Sequence, residues 1–270
     1  MMKIKFFPVV LFILIAQYTA IPENQKPDPF LNWVIGEELI YKVKWSFIKL
    51  GELKLKVLES DTIGKNEVFR CRIFVDSSPG LPFITIHDMY ESWVDADSFY
   101  SHLFRSIEKK GNDTLFTEYN FDYSRNEVDI RIERKTPDAM IVNADCSATI
   151  PGKVFDSLSM LYYARAMSRN TFGQMMPVFV YNEFKYMKIN FSGELKEIEL
   201  KDRNIFSFYV DGRLKFVGIA GVKDKFEGWF SPDKQSIPLE ASMKAFIGSV
   251  KIYLNTWTGW EDASRFFDDK

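Results

Sequence analysis

From Leu39 onward apolar and polar positions alternate with a period of two. Leu39, Tyr41, Val43, Trp45 and Phe47 fall on one side, with Lys42, Lys44 and Ser46 between them. That is the signature of a half-buried strand. Gly51 reads as a turn, and Leu53, Leu55 and Val57, alternating with Glu52, Lys54 and Lys56, read as the second strand of a hairpin. A third run covers 68–75 and is broken by Ser77-Ser78-Pro79-Gly80. Ile84, Ile86 and the stretch from Asp88 to Val94 make a fourth. The pattern repeats at 101–109, 115–123, 127–134 and 139–143, with Gly111-Asn112-Asp113 and Ser124-Arg125-Asn126 as turns.

At Phe155 the period changes. Leu158, Leu161, Tyr162 and Arg165 are spaced by threes and fours, as are Met160, Tyr163 and Met167. This predicts one amphipathic helix over 157–169, with Asp156 or Ser157 as its N-cap and Gly173 beyond its end. Strand patterns then resume at 177–182, 185–192, 195–200, 205–210, 214–219, 225–230, 237–246 and 249–256. Asp211-Gly212, Gly221, Ser231-Pro232-Asp233 and Gly248 punctuate them. Many short strands at regular spacing predict a mainly β protein: an antiparallel curved sheet or incomplete barrel with one central amphipathic helix on its concave face. Residues 34–258 then make a single β-rich domain, and 259–270 a polar tail.

The first twenty residues read differently. Lys3 and Lys5 precede an apolar run from Phe6 to Ala16, and Ala16 or Ala20 supplies a small residue for cleavage. That is the form of a secretory signal peptide, and the run is short of the roughly 20 residues a membrane span needs. The alternative is an uncleaved anchor. Residues 21–33, with Pro22, Pro27 and Pro29, read as an extended lead-in. The expected location is exported: periplasm or cell envelope, at most peripheral to the membrane.

Composition narrows the chemistry. The 270 residues are 46% hydrophobic, 16% aromatic and 27% charged, as in a globular protein. The formal charge of −2 grows more negative once Lys3 and Lys5 leave. That balance excludes a basic footprint, so nucleic acid is not an expected partner. With only 2 His and 2 Cys, zinc clusters and dense disulfide scaffolds are excluded, and no metal or cofactor is expected. An oxidising compartment permits a bond between Cys71 and Cys146. The alternation of Cys71 with Phe69, Ile73 and Val75 favours two core thiols instead.

No nucleophile elbow, zinc-protease motif, dinucleotide fingerprint or P-loop is present. No catalytic residue is assigned on these grounds. His87 lies beside Asp88, but without a nucleophile or metal partner it reads as an ordinary strand histidine. The acids Asp88, Glu91 and Asp95, near Trp93, form an alternative cluster for glycan hydrolysis, although turns also collect such residues. On the helix, Ser159, Tyr162, Tyr163 and Arg165 bring polar tips onto an apolar segment. They are the candidate ligand-binding residues, against the plainer reading of a capping Asp156 and side chains snorkelling from a helix edge.

The order of segments resembles an exported bacterial family, domain-of-unknown-function family 3108. The resemblance is carried by Gly36-Glu37-Glu38-Leu39-Ile40-Tyr41, Lys49-Leu50-Gly51-Glu52 and Asp88-Met89-Tyr90-Glu91-Ser92-Trp93-Val94-Asp95. It continues in Asp156-Ser157-Leu158-Ser159-Met160-Leu161-Tyr162-Tyr163-Ala164-Arg165, in Ile237-Pro238-Leu239 and in Ile247-Gly248-Ser249-Val250-Lys251. The chain departs from the family's pattern at Thr171–Met176 and at Asn204–Phe206. The resemblance implies a β-rich envelope protein of unknown activity, and open-barrel lipoprotein carriers are a fold analogy beyond it. Three functions stay open: a non-catalytic protein binding an apolar ligand or a protein partner on a concave β surface, an envelope glycan hydrolase, and a scaffold pairing through an edge strand.

Overall fold

The computed structural model describes residues 29–81, 85–214, 224–244 and 248–267. The signal-like segment, most of the lead-in and, apart from Leu214, the strand expected at 214–219 therefore lie outside the described residues. The described strands are β1 (Glu38–Trp45), β2 (Ile48–Ile63), β3 (Asn66–Ser77), β4 (His87–Asp95), β5 (Ser101–Lys110), β6 (Asp113–Asp122), β7 (Glu127–Lys135) and β8 (Met140–Thr149). Helix α1 (Ser159–Met167) follows, then β9 (Thr171–Val180), β10 (Glu183–Leu200), β11 (Arg203–Leu214), β12 (Asp224–Phe230), β13 (Pro238–Lys244) and β14 (Ser249–Thr258), with a short α2 (Ser264–Phe267). All fourteen strands form one antiparallel sheet in the order β8-β7-β6-β5-β4-β3-β2-β1-β14-β13-β12-β11-β10-β9. Two meanders are joined by β1 against β14, and the sheet is open rather than closed into a barrel.

The sheet curls around α1. Tyr119 and Phe121 on β6 meet Phe179 of β9 edge-on, at 5.2 and 6.1 Å between ring centres, although these strands lie near opposite ends of the order. The inward positions of the alternating strands, Leu39, Leu55, Val57, Cys71 and Leu254 among them, pack on the helix side and are buried. Each such side chain stabilises by about 1.5–3 kcal/mol relative to exposure. α1 touches both halves: Tyr163 packs on Phe99 beyond β4 and on Phe191 of β10.

Several boundaries differ from the sequence pattern, each for a local reason. The first hairpin turns at Ser46 and Phe47, with Ser46 at φ 53°, not at Gly51. Gly51 sits inside β2, where a Cβ would lie 2.1 Å from the Asp76 carbonyl oxygen; glycine is there for close strand approach. The two runs expected at 185–192 and 195–200 are one strand, β10, whose register shifts between Phe191 and Leu195 where Gly193 takes φ +65°. β11 runs straight through Asp211-Gly212, so that pair is not a turn. β9 begins at Thr171, six residues early. The stretch read as a polar tail contains Trp260, which is buried against Trp257, Phe266 and Phe267.

Cys71 is buried and Cys146 exposed, and both are free thiols. The expectation of two core thiols therefore holds for Cys71 alone. Cys146 lies on the outermost strand, where no further strand covers it among the described residues.

Candidate functional site

The residues chosen on the helix do come together, in the interior. The Asp156 carboxylate accepts the Leu158 and Ser159 backbone N–H groups at 2.7 and 2.8 Å, closing the first turn of α1 as expected of a cap. Its other oxygen accepts the Ser92 hydroxyl from β4 at 2.5 Å. Ser159 Oγ lies 2.8 Å from Ser101 Oγ of β5. Asp156 is fully buried, and that desolvation raises its pKa even though these donors favour the charged form. Asp156 and Ser159 together thus join the helix start to two strands, β4 and β5.

Arg165 is 1% exposed and does not snorkel. Its guanidinium donates to both Glu37 carboxylate oxygens at 2.7 Å and to the Gln235 carbonyl at 2.9 Å. Its carbon lies 5.1 Å from the centre of the Tyr162 ring. Gln235 in turn donates to Glu37 at 3.2 Å and to the Gly259 carbonyl at 2.8 Å, and accepts the Glu261 N–H. The result is a buried latch from the entry to β1, through α1, to the loop before β13 and the segment after β14. Burial works against the Arg165 cation, but Glu37 outweighs it and the pKa is raised. Tyr162 is stacked on Trp33 at 5.0 Å between centres. Tyr163 accepts a hydrogen bond from Gln174 at 2.7 Å.

The acids Asp88, Glu91 and Asp95 are not brought together. Asp88 faces inward, accepting the Tyr90 hydroxyl at 3.2 Å and the Lys109 N–H at 2.9 Å, and burial raises its pKa. Glu91, three positions on, faces outward and holds Arg70 at 3.0 Å and Arg72 at 2.6 Å. Asp95 closes the turn after β4 through the Ser98 N–H and contacts His102 at 2.9 Å. Burial pushes Asp95 up, but the His102 and Ser98 hydrogen bonds prevail and its pKa is lowered. His87 pairs with Asp76 at 2.9 Å on the surface.

Two hollows, of about 210 and 300 Å³, lie at the surface and not between α1 and the sheet. Lys42, Lys44, Glu199 and Lys201 line the first; Lys110, Asp113 and Arg134 line the second.

A different arrangement escaped the sequence reading. Glu38, Lys56, Arg72, Glu91, Arg105, Glu118, Arg131 and Asp145 stand directly opposite one another from β1 to β8, one per strand. They occupy the outward face. Lys56 meets Glu38, and Arg72 meets Glu91. Arg105 meets Glu118 at 2.7 Å, and Arg131 meets Asp145 at 3.1 Å. The row ends on Asp145 at the sheet edge. Its signal in the sequence is one charged residue per strand, but aligning them requires the turn centres and bulges.

The family described as Protein of unknown function (DUF3108) matches residues 40–255. The chain belongs to this family. Among curated proteins, nothing matches the chain. A solved β-barrel-like protein of domain of unknown function DUF1849 from Brucella abortus is 12% identical, with a TM-score of 0.51 over 85% of this chain and 100% of that one. This DUF3108 protein therefore shares that fold, and the likeness extends no further at such identity. A Bacteroides fragilis protein with a YmcC-like fold, described as a candidate exported protein, gives a TM-score of 0.37 at 6% identity, over 86% of this chain and 99% of that one. At that score it carries no argument. Among the described residues of the DUF3108 chain, no helix is long and apolar enough to cross a membrane.

Proposed function

We propose that this is a non-catalytic, exported protein of the cell envelope that binds a protein partner, and that the partner adds a strand along β8. The observation that carries this reading is the edge itself. β8 is ten residues long, none of its positions is buried, and no described strand pairs with its outer side. Met140, Ile141 and Val142 are consecutive exposed apolar residues on it. Soluble proteins ordinarily blunt such an edge with charged side chains, proline, a bulge or a covering segment, and β8 has only Asp145 and the extra residue Asn143 opposite Ile132/Glu133. An edge left open offers main-chain donors and acceptors to an incoming strand.

The carrier and enzyme readings draw less support. An apolar ligand would occupy the space between α1 and the sheet, but Tyr162, Phe155, Phe191 and Met176 fill it. Ligand sites are usually apolar cavities of about 300–1,000 Å³. Glycan hydrolysis needs two carboxylates facing one substrate, about 5–9.5 Å apart. Asp88 and Glu91 point to opposite faces of β4, and Glu91 is neutralised by two arginines. Export is supported by the signal-like N-terminus.

A photo-cross-linking residue placed at Val142 tests the reading in intact cells, with the same residue at Phe47 as control. Phe47 is 90% exposed in the far hairpin turn, so it reports chance collisions. One discrete adduct from position 142, found in the envelope fraction and absent from position 47, is the expected result. Equal labelling at both positions, or an adduct confined to the cytoplasm, overturns it.

A further inference from the structure

The charged row has an unfinished end. From β4 outward its signs alternate strand by strand: Glu91, Arg105, Glu118, Arg131, Asp145. Every interior member has an oppositely charged neighbour directly across at least one ladder. Asp145 has Arg131 on its inner side and, among the described residues, nothing on its outer side. Its side chain is 66% exposed, so an approaching cation reaches it.

The opposite face of β8 sets a second requirement. Ala144, Cys146 and Ala148 lie across from Ile132, Ile130 and Val128, which are buried. Ala144 and Ala148 pack half-buried at the rim of the cluster that contains Phe179 and Phe184, and Cys146 between them is exposed. An incoming strand covers these small, half-buried side chains best with large apolar residues. Because side chains alternate along a strand, those residues flank the one that faces Asp145.

We infer that the strand accepted by β8 belongs to a different polypeptide and carries a lysine or arginine opposite Asp145, flanked on both sides by large apolar residues. This rests on the reading of β8 as the partner edge and specifies the partner's chemistry. Neither edge strand of a second copy meets the requirement. β8 reads Met-Ile-Val-Asn-Ala-Asp-Cys-Ser-Ala-Thr and contains no basic residue, so no register of β8 with itself sets a cation opposite Asp145. β9, the other edge, contains none either, and it carries Pro177. The cation must come from elsewhere.

The pair selects more than it binds. Main-chain hydrogen bonds supply the affinity of an added strand. An opposite-charge pair across a ladder is worth about 0.2–1 kcal/mol, and a like pair costs a similar amount, so exchanging one for the other changes affinity by about two- to thirtyfold.

The experiment uses two labelled ten-residue strand peptides of alternating valine and threonine. One carries arginine, and the other glutamate, at a single central threonine position. Binding to the chain from residue 21 onward, wild type and Asp145→Arg, is followed by fluorescence anisotropy. The wild type is expected to prefer the arginine peptide at least about twofold, Asp145→Arg to prefer the glutamate peptide, and both preferences to shrink in 0.5 M salt. Equal binding of both peptides, unchanged by Asp145→Arg, overturns the charge inference and leaves the edge reading standing. No binding of either peptide, with β8 amide exchange unaltered, overturns both. Faster sedimentation of the free chain, as a dimer that is lost in Asp145→Arg, overturns the inference in favour of self-pairing.

Discussion

β9 closes one side of the sheet with its second half hidden. Phe155 bridges to Val178, and Met176, Val178, Phe179 and Val180 are buried, with Pro177 among them. The Phe155 N–H donates to the Pro177 carbonyl and the Phe179 N–H to the Phe155 carbonyl, so a short extended segment occupies the edge. β8 closes the other side with no proline, no lysine and no covering segment among the described residues. Both edges pose the same physical problem, a row of unpaired main-chain groups. The fold covers the second half of β9 with its own chain and leaves β8 uncovered among the described residues. An edge left uncovered beside one that is half covered points to use rather than to tolerance.

The covering residue Phe155 leads directly into α1, so the latch that fixes α1 is the first place to break the comparison. Arg165→Met strands the Glu37 carboxylate in the core, and losing one partner of a buried pair costs about 3–5 kcal/mol. Urea unfolding is expected to show that loss, and Arg165→Met with Glu37→Leu to recover most of it. Full stability in the single variant contradicts the latch. Phe155→Ala empties a buried ring site, at about 3–5 kcal/mol. Amide exchange is then expected to quicken at β9 and stay unchanged at β8; quickening at both edges alike removes the distinction.

Acid gives a smaller effect with a definite sign. Asp95 ends the turn leading to Ser101, whose N–H binds the Val154 carbonyl in the covering segment. Because the folded-state pKa of Asp95 is lowered, its contribution is present above the ordinary carboxylate value of about 3.9 and lost as pH falls through the folded value. Asp88 and Asp156, with raised values, contribute with the opposite sign and lose their share as pH rises through their folded values. Asp95→Asn is therefore expected to flatten the fall in Tm below about pH 4. An unchanged acid limb contradicts the Asp95 assignment.

The cysteines sharpen the comparison without disturbing it. Burial raises the Cys71 thiol far above its ordinary value, while Cys146 stands exposed on β8. Iodoacetamide is expected to modify Cys146 alone in the native chain and Cys71 only in denaturant. Native labelling at Cys71 would mean that the core opens readily.

Period-two alternation made the mainly β, antiparallel, open architecture legible, because inward positions such as Leu39, Leu55 and Cys71 must be apolar. The single amphipathic helix was legible for the same reason, and Asp156 announced its start. What stayed hidden depends on partners distant in sequence. Arg165 looks like a surface residue on a helical wheel; Glu37, 128 positions away, makes it a core residue. Gly51 looks like a turn until β3 is laid against it. The charged row needs the exact register of seven ladders, and bulges at Val43/Lys44, Val57/Glu59 and Trp93/Val94 shift that register in ways no local pattern records.

Hydrogen–deuterium exchange along β8 and β9, without and with the arginine-bearing strand peptide, tests the asymmetry of the edges most directly. In the free chain the outward amides of β8 are expected to exchange quickly and those at Val178–Val180 slowly. The peptide is expected to slow β8 by at least tenfold and leave β9 as it was. Slow exchange at β8 in the free chain, or protection appearing at β9 instead, would contradict the assignment of β8 as the edge that takes a partner.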